Sequence, residues 1–232
     1  MRSASGSCGL APAGAKSSRA GRGIRTALLS AGLVVLAGAW AAAFAGHGMT
    51  RHMVAHIASM AVAAPLLAAG LSGGSADLAM RWPRIVAPMQ MSIVEMTVVW
   101  AWHVPAARAL AASSGVGLAA EQISFAAAGI ALWAACYGTR DAAGTRRALA
   151  VLALLWTTMH MTLLGALITL APRPLYPSHG TAFGLTPLAD QQVGGVIMLL
   201  VGGGAYLVGG LCLLSGLLRD RTESLRGAAT RT

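Results

Sequence analysis

Long apolar segments alternate with short polar loops along the chain. Six segments are apolar almost throughout, at roughly 27–45, 52–71, 85–104, 118–137, 148–171 and 193–218. A transmembrane helix needs about 20 mostly apolar residues to cross about 30 Å of hydrocarbon, and each segment has that length. The pattern predicts an all-α fold, a polytopic membrane helix bundle with six transmembrane helices.

Composition supports this class. The 232 residues are 56% hydrophobic and only 10% charged, with a mean hydropathy of +0.66, well above that of a soluble domain. We expect a disordered basic tail over 1–25, the bundle over 26–218 and a second basic tail over 219–232. The first segment ends in Ala43-Phe44-Ala45, which fits a signal-peptide cleavage site, but its apolar run exceeds the usual core of about 7–15 residues, which favours a retained helix.

The net charge of +10 indicates membrane topology rather than nucleic acid binding. Basic residues cluster in the N-terminal tail, in every second loop and in the C-terminal tail, and only Arg51, Arg108 and Arg173 lie in the other loops. Lys and Arg are retained on the cytoplasmic side during insertion. Both termini are therefore predicted to be cytoplasmic. We expect the protein to contact membrane lipid and not nucleic acid.

This orientation places the six histidines at or beyond the outer half of the membrane. They are His47, His52, His56, His103, His160 and His179. The three cysteines have no paired spacing typical of a disulfide framework or a thiolate metal site. A soft-metal site in this chain would therefore use His and Met.

The second segment opens with His52 and His56, which are four residues apart and so lie on one helix face, about 6 Å apart along the axis. Methionines, Met53 among them, follow the same helical progression. Imidazole binds copper and zinc, and thioether sulfur selects Cu(I), so this face suits a cuprous site. The structural alternative is that the methionines fill gaps in an apolar core and the histidines only hydrogen-bond to neighbours.

Polar residues in other segments add candidates. His103 ends the third segment near the outer surface. Glu121 begins the fourth at a similar depth, either as an oxygen ligand, as a partner that orients an imidazole, or only as an anion favoured by the helix dipole. His160 lies near the midplane and must face the bundle interior, where it binds metal or hydrogen-bonds to a threonine. Glu95, at the middle of the third segment, handles protons or metal, or forms an interhelical hydrogen bond.

The last segment carries glycines at heptad spacing: Gly195, Gly202, Gly209 and Gly216. In lipid, such a stripe marks a face where another backbone approaches closely. We expect a packing seam there, against a helix of the same chain or against a second copy in a homo-oligomer. Before the seam, Thr186-Pro187 predicts a helix N-cap with proline at the first position, and Asp190 lies in the first turn, where the dipole favours an anion.

Four strings carry a resemblance when taken together. They are His52-Met53-Val54-Ala55-His56, Trp102-His103-Val104-Pro105, the stretch from Met159-His160-Met161 through Ala171-Pro172-Arg173-Pro174-Leu175-Tyr176, and Leu185-Thr186-Pro187-Leu188-Ala189-Asp190-Gln191-Gln192. Together they resemble the multi-pass CtaG family of cytochrome c oxidase assembly factors, over nearly everything from His47 to about Gly204. Each string alone is weak, and the combination is specific.

The resemblance implies an integral factor of the bacterial plasma membrane, needed for an active haem-copper oxidase, with oxidase subunits as partners and Cu(I) delivery as the usual proposal. The predicted ligands are His52, His56, His103 and His160, with Glu121 and Met53 in support. The family commonly has histidine where this chain has Gln122. Either Glu121 substitutes for it, or the site uses only the second, third and fifth helices, or this member has lost metal binding.

Three other function classes compete with copper delivery. A single haem between His56 and His160, or a quinone site, would make a redox protein. A transporter is suggested by Glu95, although the internal repeats usual in transporters are not apparent. A metal-free scaffold would dock an oxidase subunit. The sequence has no nucleophile–base pair, P-loop or dinucleotide fingerprint, so we do not expect an enzyme.

Overall fold

The computed structural model describes residues 13–138, 144–176 and 182–229. These ranges are almost entirely helical and contain no strand, which confirms the all-α prediction. Five of the described helices are long and apolar enough to cross a membrane: Gly21–Phe44, Met49–Leu71, Gly115–Tyr137, Thr145–Thr169 and Pro187–Arg226. His179 lies outside the described residues.

The helices are numbered here in chain order. The first half comprises α1 at Ala13–Phe44, α2 at Met49–Ile57, Ala58–Ala63 and Ala64–Leu71, α3 at Leu78–Arg81, and α4 at Pro88–His103. The second half comprises α5 at Pro105–Ser113, α6 at Gly115–Tyr137, α7 at Thr145–Thr169, and α8 at Pro187–Ile197, Met198–Gly202 and Gly203–Ala229. The middle piece of α2 and of α8 is a π-helical turn, and a short 3₁₀ turn at Ala182–Gly184 precedes α8.

The third predicted span is shorter than expected. It corresponds to α4, which has 16 residues and is therefore only about 24 Å long at 1.5 Å per residue. Pro88 occupies the first turn of α4, where its missing N–H costs nothing. Val104 has an extended ψ of 130° because Pro105 disfavours the helical conformation of the residue before it. Two prolines thus set the length of α4.

The helices at both termini run further than predicted. α1 begins at Ala13 and α8 continues to Ala229, so residues 13–25, which were expected to be disordered, are helical, and so are residues 219–229 of the second basic tail. Lys, Arg, Leu, Glu and Ala are good helix formers, and no proline interrupts either stretch.

Five helices form a closed ring, with neighbours in the order α2, α6, α4, α7, α8 and back to α2. α1 packs outside the ring, mainly on α2, and most of its surface is exposed. The centre of the ring contains the apolar cluster of Met53, Phe125 and Leu154, and also buried polar side chains contributed by all five helices. The segments 45–48, 104–114, 170–176 and 182–186 lie at one end of the bundle, called the outer end below after the predicted topology.

The glycine stripe of α8 is a packing seam within the chain. A Cβ added at Gly195 would lie 2.8 Å from the Gly165 carbonyl oxygen of α7, and one at Gly202 would lie 2.7 Å from Ile57 of α2. Gly209 faces Trp133 of α6, while Gly216 has nothing within 4 Å. Three of the four positions are therefore covered by the chain's own helices, and the face predicted for a second copy is already occupied there.

We expect Gly195→Ala to lower the free energy of unfolding by about 1–3 kcal/mol, the usual cost of overpacking, because its methyl group meets backbone that cannot rotate away. Gly216→Ala is the matched control, since its methyl group enters open space. Thermal unfolding of the two variants in detergent measures the difference. Equal melting temperatures for both variants would refute the seam.

Candidate metal centre

Helix α2 is capped by a side chain from another helix. Gly48 occupies the N-cap position and offers no side chain. The Asp190 carboxylate of α8 instead accepts hydrogen bonds from the backbone N–H groups of Met49 and Thr50, and the Thr50 hydroxyl donates to the Asp190 carbonyl at 3.0 Å. The predicted cap of α8 is confirmed, because the Thr186 hydroxyl accepts from the Ala189 N–H at 3.2 Å. Asp190 thus ties the start of α2 to the start of α8.

We expect Asp190→Asn to destabilise the protein by about 1–2 kcal/mol, because it weakens charge-assisted bonds at a helix N-terminus. The cost should appear as a lower melting temperature in detergent. Glu223→Gln removes an exposed carboxylate of α8 and is the control, expected to melt like wild type. The cross-helix cap would be refuted if Asp190→Asn also melted like wild type.

Two further contacts fix the outer loop over the end of α4. The Tyr176 hydroxyl donates to the His103 carbonyl at 3.0 Å, and burial raises the pKa of Tyr176 to about 12, so the hydroxyl remains a donor at neutral pH. The Gln191 side chain accepts from the Leu175 N–H at 2.6 Å and donates to the Ile168 carbonyl at 3.1 Å. The Asp190-Gln191 pair therefore holds both α2 and the loop.

Three imidazoles meet inside the outer end of the ring. The ring centroids of His52 and His56 on α2 are 6.1 Å apart. The ring centroid of His103 on α4 lies 5.2 Å from that of His52 and 5.4 Å from that of His56. Phe125 of α6 packs beside them, 4.4 Å from His56. All three rings are buried, with 5%, 0% and 4% of each residue exposed. We call His52, His56 and His103 the histidine cluster.

Most ring nitrogens of the histidine cluster have no hydrogen-bond partner. One nitrogen does have a partner, because His103 Nδ1 lies 2.6 Å from the Val99 carbonyl oxygen. A carbonyl only accepts, so Nδ1 carries the proton and Nε2 keeps a free lone pair. Its Nε2, and both nitrogens of His52 and His56, are buried and unpartnered. Buried polar atoms without partners are costly, which indicates a site shaped for something other than hydrogen bonding.

Glu121 lies next to the cluster as part of an ion pair. Its carboxylate, fully buried, receives hydrogen bonds from the Arg108 guanidinium of α5 on both oxygens. One carboxylate oxygen is 3.5 Å from His52 Nδ1 and 3.4 Å from the Gln122 amide nitrogen. Glu121 is thus placed to orient His52, and Arg108 balances its charge.

His160 lies deeper in the bundle and makes none of the ring contacts of the histidine cluster, although it is near enough to His56 to interact with it electrostatically. Its Nε2 is 3.9 Å from an oxygen of Glu95 on α4. The other Glu95 oxygen accepts a hydrogen bond from the Tyr206 hydroxyl of α8. The threonine predicted as a partner of His160 does not serve it, because the Thr157 hydroxyl pairs with Ser92 at 2.9 Å and both His160 nitrogens are unpartnered.

Met53 is fully buried within the apolar cluster of the ring. Among the described residues, no three His, Cys, Asp or Glu side chains are already spaced to enclose an ion. The rings of the histidine cluster are close, but their free nitrogens do not yet point at a common centre. The ligand assignment of His52, His56, His103, His160, Glu121 and Met53 therefore stays a prediction.

A cavity of about 330 Å³ connects the histidine cluster to the outer end. Its walls include His47, Met49, His52, Arg108, Tyr176 and Asp190. The residues that position the cluster thus also line the way to it. His52 is the member of the cluster that faces this cavity.

A family model described as cytochrome c oxidase caa3 assembly factor (Caa3_CtaG) matches residues 10–220. The chain belongs to the caa3 assembly factor family. The resemblance read from the four strings is therefore confirmed, and this caa3 assembly factor is not a catalytic enzyme. Its partner is cytochrome c oxidase. No curated protein and no solved structure matches the chain.

The strings that carried the resemblance have distinct structural tasks in this caa3 assembly factor. Those around His52 and His103 supply the histidine cluster, whereas the one around Asp190 supplies the cap of α2 and the loop contact. Gln122 is fully buried, its amide nitrogen lies 3.4 Å from a Glu121 oxygen, and its Oε1 has no hydrogen-bond partner.

Sequence reasoning missed Arg108, Phe125 and Tyr206. Arg108 was visible as one of the few basic residues on the outer side, opposite an acidic residue that had no assigned partner. Phe125 follows Glu121 by four residues and Gln122 by three, on a face of α6 turned to the ring interior. Tyr206 had no signal, because a single tyrosine within an apolar helix is an ordinary residue.

Proposed function

We propose that this caa3 assembly factor holds one Cu(I) ion at the histidine cluster, at the outer end of a six-helix bundle in the bacterial plasma membrane, and delivers it to the oxidase. The observation that supports the proposal is that three buried imidazoles each have a nitrogen lone pair without a hydrogen-bond donor, while Glu121 lies 3.5 Å from His52 Nδ1 and the Val99 carbonyl accepts from His103 Nδ1. Neutral imidazole is a good copper ligand. A metal ion would satisfy lone pairs that nothing else in the described protein satisfies.

The spacing of the rings supports the same proposal. A metal about 2.0–2.1 Å from an imidazole nitrogen lies about 3.2 Å from the ring centroid, so two rings at a tetrahedral angle have centroids about 5 Å apart. The observed separations run from 5.2 to 6.1 Å. The last torsion of histidine is broad, and rotation about it redirects the nitrogens while the ring centre stays nearly in place. The cluster therefore needs ring rotation and little helix movement.

Charge also favours a monovalent ion. The nearest carboxylate, Glu121, is already paired with Arg108, so the site itself contributes no net negative charge. Three neutral imidazoles leave the full charge of the ion uncompensated, and in a buried site the desolvation cost rises steeply with charge. Cu(I) carries the smallest charge that copper offers.

The proposed topology puts this site where a partner outside the cytoplasm reaches it. α4 completes the count of six spans despite its length, because α6 and α7 flank it and a short helix is accommodated by local thinning of the bilayer. The basic clusters keep both termini cytoplasmic. The cavity beside His52 then opens to the outer side and provides the route by which the ion enters and leaves.

The test is the copper content of the client oxidase, purified from cells that lack this gene and carry a plasmid copy instead. The wild-type copy and Leu163→Ala/Leu167→Ala, an exposed pair with the same four-residue spacing on α7 and outside the cavity, should restore copper and oxidase activity. The His52→Ala/His56→Ala copy should yield oxidase subunits depleted of copper, with partial rescue by added copper. A metal-free scaffold predicts full activity with the double variant, and that result would overturn the proposal.

A further inference from the structure

We propose that Glu95 and His160 form a second Cu(I) position, midway through the bundle and separate from the histidine cluster. His160 Nε2 and the nearer Glu95 oxygen are 3.9 Å apart. This distance exceeds the donor–acceptor separation of an N–H···O hydrogen bond, which is about 2.7–3.2 Å. It is close to the sum of one metal–nitrogen and one metal–oxygen bond, about 4.0–4.3 Å. The separation is just below the span of a linear nitrogen–metal–oxygen bridge, so both atoms can bind one ion in a bent arrangement.

The two donors are buried and unpartnered. Glu95 is fully buried and His160 is 5% exposed. The Glu95 oxygen that faces His160, and both nitrogens of that ring, have no hydrogen bond. Burying such atoms without partners is costly, so two of them facing one another across a gap indicate a ligand between them.

The surrounding contacts hold the carboxylate in this orientation. Tyr206 donates to the Glu95 oxygen that points away from His160, and its ring stacks on Trp133 at 5.6 Å. Trp133 Nε1 donates to the Met60 carbonyl at 3.1 Å, and the Tyr206 hydroxyl lies 3.4 Å from the same oxygen. Met60 lies in the π-helical turn of α2, which frees that carbonyl, and such turns are frequent at functional sites.

The charge at this depth selects the ion. Glu95 is the one carboxylate among the described residues of the bundle middle, and no described Lys or Arg lies beside it. A monovalent cation makes the site neutral, whereas a divalent cation leaves one unbalanced charge in a low-dielectric region. The imidazole of His160 suits copper, whereas the Glu95 carboxylate does not by itself favour a soft ion, so the assignment of Cu(I) rests on the imidazole and on the charge balance.

The experiment is an anaerobic titration of detergent-purified full-length protein with Cu(I) against a coloured Cu(I) chelator. We expect two equivalents for wild type, one for Glu95→Gln, one for His160→Asn and one for His52→Ala/His56→Ala. Thr158→Val, on the same helix as His160 but with its hydroxyl bonded to the Leu154 carbonyl of that helix, should keep two. The equivalent retained by each variant also serves as its folding control.

The outcomes separate this proposal from the preceding one. A single equivalent in wild type, or two in both Glu95→Gln and His160→Asn, would overturn the second position. Two equivalents in His52→Ala/His56→Ala would instead overturn the histidine cluster as a copper site. If both deep variants failed to fold, the His52→Ala/His56→Ala protein would decide: one retained equivalent supports the second position, and none overturns it.

Discussion

The Arg108→Met variant is expected to lose about 3–5 kcal/mol of unfolding free energy, the usual cost of leaving a buried charge without its partner. The Glu121 side chain is fully buried and that of Arg108 is 15% exposed, and Arg108 Nη1 contacts both carboxylate oxygens. Methionine preserves much of the side-chain volume, so the loss reports on charge rather than on packing. Unfolding of the detergent-solubilised protein measures it.

A matched control and a double variant separate the ion pair from general damage. Arg84→Met removes an exposed arginine and should change stability by less than about 0.5 kcal/mol. Arg108→Met/Glu121→Gln removes both charges and should recover most of the loss, giving a large coupling energy in the double-mutant cycle. Additive losses would show that Glu121 does not depend on Arg108.

The His103→Ala variant is expected to bind Cu(I) at the outer site about 100-fold or more weakly. Loss of a partner outside the ligand shell already costs about 10–100-fold, and His103 is proposed as a direct ligand through its free Nε2. Competition with a Cu(I) chelator in the Glu95→Gln background measures the affinity of the outer site alone.

The control for His103 is Tyr176→Phe, which removes only the hydrogen bond to the His103 carbonyl. Its affinity should fall by about tenfold at most, because the ring of His103 remains. An affinity in His103→Ala equal to that of Tyr176→Phe would mean that His103 supports the site without binding the ion.

The helices were largely readable from the sequence because each one needs only a local signal. Apolar length indicated the spans, and Thr186-Pro187 marked the start of α8 correctly. The length of α4 was also readable in principle, since Pro88 and Pro105 bound it, but hydropathy alone extended the segment past both prolines. The helical termini were missed because composition rich in Ala, Gly and Arg does not separate a tail from a helix end.

The site was readable only where one helix carries the pattern. His52 and His56 share a face of α2 by their spacing, whereas their approach to His103 depends on the order of helices in the ring. The same is true of Asp190, whose position in the first turn of α8 suggested its own helix dipole, although its carboxylate caps α2. The separation of His160 from the cluster likewise follows from helix depth, which spacing does not give.

The central claim is that the imidazoles of His52, His56 and His103 bind one Cu(I) ion together. X-ray absorption at the copper edge of Glu95→Gln protein, loaded anaerobically with one equivalent of Cu(I), tests it most directly. The account predicts three imidazole nitrogens at about 2.0–2.1 Å, the distance of imidazole from zinc, and loss of that signal in His52→Ala/His56→Ala. A first shell dominated by sulfur, or copper that binds equally well after both substitutions, would contradict it.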